Sequence, residues 1–193
     1  MLSRLQLQST SDQRDHRRYV PIAASAPVAI APEQAAVWAY PQPDFTDDQV
    51  ASALCNALLG RIHLSVYLNR MSADQRALVA EAMSVYKQIR ADIPVSVPYW
   101  PLGLPGWTDS WIALALRVSQ QSSQRTYMTV WHRAENDAGG EQTLPLPYLK
   151  GQDASVRVLF PGSSKAVVEW SAERGELTVS LPEPDTACLV VVE

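Results

Sequence analysis

Helical periodicity stops at Ile93. Up to that residue, apolar side chains recur every three or four positions between short alternating runs. Beyond it Pro94, Pro98, Pro101 and Pro105 crowd a single stretch and leave little room for helix. Only short strand-like runs follow, near 111–118, 125–133, 143–149, 155–160, 166–171, 176–181 and 187–192. Ala138-Gly139-Gly140, Pro161-Gly162-Ser163-Ser164 and Glu173-Arg174-Gly175 are turn signals between them. The spacing predicts an antiparallel β-sandwich over residues 108–193. Residues 94–107, rich in Pro and Trp, read as an ordered crossing between two domains, with Trp100, Trp107 and Trp111 filling their interface.

Residues 1–93 carry the opposite texture. Leu5 and Leu7 alternate with Gln6 and Gln8, a short strand signal, and Ser9-Thr10-Ser11-Asp12 breaks it with turn and N-cap residues. A helix over 16–31 is predicted to be short, kinked or split by Pro21 and Pro27. Ala36 to Tyr40 forms a compact strand stopped by Pro41. Thr46-Asp47-Asp48-Gln49 is a capping box ahead of a helix with Val50, Ala53, Leu54, Ala57 and Leu58 on its apolar face, closed by Gly60. Ile62, Leu64 and Val66 alternate as a strand. Ser72-Ala73-Asp74-Gln75 repeats the capping box before the strongest helix, with Leu78, Val79, Ala82, Val85, Tyr86, Ile89 and Ile93 at 3-4 spacing. Three strands, each followed by a helix, match the closing portion of a (β/α)8 barrel, where catalytic side chains sit at the C-terminal ends of the strands.

Several function classes are disfavoured. The net charge of -4 over 193 residues opposes nucleic acid as a main partner, because phosphate binding wants a basic face. No apolar run approaches a membrane span, and no signal-peptide core follows Met1, which is the pattern of a cytoplasmic protein. Cys55 and Cys188 sit among apolar neighbours, and His16, His63 and His132 are scattered, so buried thiols are the reading rather than a disulfide or zinc site. No G-x-S-x-G elbow, Walker loop or dinucleotide-binding glycine pattern occurs.

The residues that could carry chemistry each have a plainer reading. By spacing alone, Asp12 and Asp15 are helix N-terminal carboxylates meeting unpaired backbone N–H groups. Trp38 and Tyr40 could stack on a sugar face or pack in a strand core. His63 has no acidic or nucleophilic neighbour in sequence and reads as structural.

Ser11-Asp12-Gln13-Arg14-Asp15-His16-Arg17-Arg18 resembles the SDxxDxxR signature of glycoside hydrolase family 36, the α-galactosidases. Collinear likenesses follow at Pro32–Pro41, Asn56–Ser65, Tyr86–Arg90 and Trp100–Trp107. What the chain resembles is the C-terminal part of a much longer enzyme. The resemblance implies a retaining hydrolase of terminal α-galactosyl residues that needs no metal or organic cofactor. It implies Asp12 as acid/base, with Asp15 and Arg18 supporting it and Trp38 and Tyr40 facing the sugar. The family's nucleophile lies in an upstream K-x-D motif. Met1 to Ser11 holds no acidic residue and no Lys-x-Asp occurs later, so the expectation is a fragment that is inactive alone. Its partners would be an α-galactoside and the missing N-terminal half, or a homologous subunit. Val66 stands where the family has glycine, and His16 where proline is frequent. The alternative is a non-catalytic carbohydrate-binding or structural module centred on the sandwich.

Overall fold

A computed structural model describes residues 6–118, 125–135 and 139–193. The N-terminal part alternates as expected: β1 (Gln8–Ser9), α1 (His16–Ser25), β2 (Ala35–Ala39), α2 (Asp47–Cys55), β3 (Arg61–Leu64) and α3 (Ala73–Ile89). The strands form one parallel sheet in the order β1-β2-β3. Among the described residues no further strand pairs at either of its edges. Both capping boxes are present: Thr46 and Gln49 exchange hydrogen bonds, as do Ser72 and Gln75, satisfying otherwise orphaned N–H groups.

The rest is a sandwich. A five-stranded sheet runs β4 (Ser96–Tyr99), β5 (Trp111–Val118), β6 (Thr126–His132), β11 (Thr186–Val192), β8 (Val156–Phe160). A three-stranded sheet runs β7 (Glu141–Pro145), β10 (Glu176–Ser180), β9 (Val167–Ser171). All these pairings are antiparallel.

Alternation divides the five-stranded sheet between two cores. Ala113, Ala115, Met128, Val130, Cys188 and Val190 point into the sandwich, against Leu144, Leu177 and Val179 of the smaller sheet. Ile112, Leu114, Leu116, Tyr127, Trp131 and Leu189 point the other way, into a cluster that includes Tyr19, Leu54, Leu58 and Val79 of the helical part. The five-stranded sheet is thus covered on both faces, and the two halves of the chain share one core.

Several expectations change. The β1 pairing is at Gln8 and Ser9, and Leu7 is exposed, so hydrophobic alternation placed the strand too early; Leu5 lies outside the described residues. The 16–31 helix is short, as its prolines predict, ending at Ser25 ahead of 3-10 turns at Ala26–Val28 and Pro32–Gln34. Gly60 is not the α2 cap, which falls at Asn56. Its role is close approach: a Cβ there would stand 2.6 Å from Val37 Cγ2. The third strand ends at Leu64, short of Val66. Residues 94–107 are more than a crossing, since β4 is an edge strand inside them. Pro98 fits there because an edge can face its missing N–H outward. Of the three tryptophans assigned to the interface, only Trp100 spans it, donating to Ala24 O at 2.7 Å. Trp111 packs in the sandwich core, and Trp107 is exposed.

Candidate functional site

The parallel sheet aims its C-terminal ends at one rim, which carries most of the residues singled out from sequence. At β1 the chain leaves the ladder with Thr10, whose N–H still bonds Ala36 O at 3.2 Å. Past that point β1 supplies no partner for the Trp38 N–H. Tyr19, on α1 and buried, fills the vacancy. Its hydroxyl lies 2.8 Å from Trp38 N and 2.7 Å from Thr10 Oγ1, tying α1, β2 and the end of β1 at one atom. Burial raises the Tyr19 phenol above its usual value, against the opposing effect of the bonds to Thr10 and Trp38. The hydroxyl therefore stays a protonated fixture.

Asp12 and Asp15 part company in the loop that follows. Asp15 is the N-cap of α1, and its Oδ1 accepts from Arg17 N at 2.9 Å and Arg18 N at 3.0 Å. Partial burial would raise its carboxyl, but those two N–H groups and the nearby His16 and Arg18 charges outweigh it and hold the pKa below the usual range. Asp15 is spoken for. Asp12 is exposed and forms no hydrogen bond with any described residue. Burial first, and the Asp12 charge after it, raise the Tyr40 phenol above its usual value. The Ser11 hydroxyl accepts from Gln13 N at 3.1 Å, and Gln13 Oε1 accepts from Asp15 N at 3.0 Å, so the loop is folded on itself.

The aromatic wall stands on β2 and β3. Trp38 alternates with Val37 and Ala39, which are buried in the helical core, and is itself half-buried and packed against that core. Trp38 and Tyr40 stack with centroids 5.8 Å apart and planes 12° apart. His63, the register partner of Trp38 on β3, sits 5.0 Å from its ring. The Trp38 Nε1–H donates to Ser9 Oγ at 2.9 Å, fixing the indole. Trp38, Tyr40 and His63 are all half-buried.

Arg18 contributes its backbone N–H to Asp15, and its guanidinium forms no hydrogen bond with a described residue. The arginine that engages is Arg17, which pairs with Asp185 on the loop between β10 and β11. Sequence reading missed Arg17, Asp185 and Tyr19. Tyr19 has a signal in its apolar helical register, whereas nothing near Asp185 in sequence points to residue 17.

No group of three or more His, Cys, Asp or Glu side chains that could hold a metal ion occurs among the described residues. Nor is any described helix long and apolar enough to cross a membrane.

The structure superposes on the C-terminal part of solved family 36 α-galactosidases. The galactosidase domain of the α-galactosidase–sucrose kinase AgaSK superposes with a TM-score of 0.68 at 13% identity, over 94% of this chain and 25% of that one. A variant of the α-galactosidase AgaA from Geobacillus stearothermophilus, in complex with raffinose, gives 0.67 at 11% identity over 95% and 25%. The α-galactosidase of Lactobacillus brevis gives 0.67 at 11% over 94% and 25%. The chain spans about a quarter of the length of each. No family model matches the sequence, and no curated protein does.

Proposed function

We propose that this chain is the C-terminal segment of a retaining α-galactosidase-like glycoside hydrolase, with Asp12 as its general acid/base. In this reading residues 1–93 are the closing βα units of a (β/α)8 barrel and residues 108–193 its companion sandwich. The observation that carries it is the different fate of the two carboxylates. Asp15 is consumed as a helix cap, whereas Asp12, just past the C-terminal end of β1, is exposed and forms no hydrogen bond with a described residue. Barrel enzymes put catalytic side chains at that end. Asp12 would protonate the leaving oxygen and then deprotonate the attacking water, two steps of one exchangeable proton. Trp38 and Tyr40 would line the sugar site, and Asp15 would hold the loop through the helix it caps.

A retaining hydrolysis needs a second carboxylate as nucleophile, on the opposite side of the scissile bond. It would come from barrel strands outside residues 1–193, whether on the same polypeptide or another. The β1 edge, unpaired among the described residues, fits this. Beside it, along α1, runs a groove of about 340 Å³ lined by Pro21, Ile22, Ala26, Ile30 and Trp107. A right-handed crossover puts the helix preceding a parallel strand on that side of α1. Reading the sandwich as a free-standing binding module has less support, because both faces of its larger sheet are buried.

The test joins this chain to the upstream barrel segment of a fold relative and follows hydrolysis of aryl α-galactosides. The chain alone should give no turnover. In the joined protein, Asp12→Asn should lower the rate on poor leaving groups by roughly 10²–10⁴-fold. It should spare an activated aryl leaving group in the first step, and azide should restore turnover. Full activity of Asp12→Asn on poor leaving groups refutes the assignment.

A further inference from the structure

The loop that carries Asp12 is bracketed by two long-range ties. One is the Thr10–Tyr19–Trp38 junction at the end of β1. The other reaches out of the βα part altogether, where Arg17, in the first turn of α1, pairs with Asp185 of the sandwich.

Asp185 is prepared for that contact. It is the one described non-glycine residue with a positive φ, at 61°, a conformation that aspartate tolerates better than most residues. The turn around it is stitched by Thr186 Oγ1, which donates to Glu183 O at 2.6 Å. Its Oδ1 accepts from Ala134 N at 3.1 Å, just past the end of β6. That leaves Oδ2 for Arg17. The Asp185 side chain is only 11% exposed against 44% for Arg17, so the acceptor is fixed and the flexible arginine docks onto it. The neighbourhood is charged throughout: Asp15, His16, Arg133 and Glu135 all lie within electrostatic reach of this pair. Arg133 is itself buried and holds the 107–109 backbone through Trp107 O and Asp109 O. The sandwich thus presents a braced carboxylate to the helix whose N-terminus supports the Asp12 loop.

We propose that Asp185 is a positioning residue, through which the sandwich fixes the Asp12 loop by holding Arg17. The catalytic meaning of the clamp rests on the reading of Asp12 above, but the clamp itself can be tested on this chain without turnover.

Amide hydrogen exchange by NMR, residue by residue, is the test. Asp185→Asn keeps an oxygen for Ala134 N and tolerates the positive φ, and it loses the charge. Arg17→Met keeps the apolar stem and loses the partner. Each should speed exchange at the amides of Gln13 to Arg18 by roughly 3–10-fold, leaving β6 and β11 unchanged. The double variant should be no faster than either single one, because both remove one interaction. Arg17→Lys should restore part of the protection. Unchanged exchange over Gln13–Arg18 in both single variants overturns the clamp, as does equal acceleration in β6 and β11. Asp12→Asn should leave this exchange as it is. Failure of the clamp and failure of the acid/base assignment therefore register in different measurements.

Discussion

Removing one oxygen atom from Tyr19 tests how the rim is held. Tyr19→Phe leaves a ring of the same shape at a site only 2% exposed, so packing is preserved and no cavity opens. Two hydrogen bonds go, at 2.8 Å from Trp38 N and 2.7 Å to Thr10 Oγ1. They are not equivalent. Thr10 Oγ1 keeps its bond to Ala36 O at 3.1 Å, whereas the Trp38 N–H has no strand left to pair with. The cost is set mainly by that stranded donor, about 1–3 kcal/mol for a buried polar group without a partner. For a chain of this size each kcal/mol lowers Tm by roughly 2–4 °C, so a drop of about 2–12 °C is expected. Urea unfolding followed by both tryptophan fluorescence and far-UV circular dichroism gives the free energy and checks that the transition is two-state. Thr10→Val in the Tyr19→Phe background should then cost less than in the parent, because the two hydroxyls share one network. A Tyr19→Phe chain within about 0.5 kcal/mol of the parent would show that water or a shifted backbone satisfies Trp38, and the junction would lose its structural role.

Two further outcomes are expected. Asp15→Ala should destabilise by about 1 kcal/mol at neutral pH by uncapping α1. Since the folded carboxyl titrates below its ordinary value of 3.8, that difference is full above 3.8 and vanishes as the pH falls through the depressed value, so unfolding curves of parent and variant should converge in acid. Gly60→Ala should cost about 1–3 kcal/mol in thermal unfolding, because its methyl would press on Val37 Cγ2 in a packed core. Val37→Ala should relieve part of that cost, and full stability of Gly60→Ala alone would mean the β2–β3 approach can relax.

The parts of this fold that could be read in the sequence are those whose signals are local and redundant. α3 has a capping box, a 3-4 apolar stripe and no competing residue, and it starts at Ala73 as its pattern predicts but ends at Ile89, with Ile93 in a 3-10 turn beyond it. The sandwich strands are similarly marked by turns. Legibility fails where a contact replaces a pattern. β1 is two polar residues with no apolar alternation, defined only by its pairing to Ala35 and Ala36. Gly60 looked like a cap because it follows a helix, whereas the packing of Val37 is what requires it. β4 hides in a proline-rich stretch that propensity assigns to a connector, and only its place at the sheet edge makes Pro98 acceptable. At the site, Asp12, Asp15, Trp38 and Tyr40 stand out by motif and position. Arg17 and Asp185 could not, since they meet across 168 positions of chain and neither has a local partner that marks it.

Burial is distributed unevenly, and this bears on how the chain behaves by itself. The five-stranded sheet is sealed on one face by β7, β9 and β10 and on the other by the helices, so the most fully buried side chains, among them Trp131, Phe160, Leu189 and Leu54, gather around it. The parallel sheet is less protected at its edges: among the described residues β1 and β3 each have a single neighbour, and Leu7, Tyr67 and Leu68 are exposed near those strands. Open edges invite pairing with other chains. Folding free energy is therefore concentrated in the sandwich and its helical cover, while the rim that bears Asp12 rests on the Tyr19 junction, the Asp15 cap and the Arg17–Asp185 pair. Those few polar contacts are where a change in side chain should alter the loop before it alters the fold.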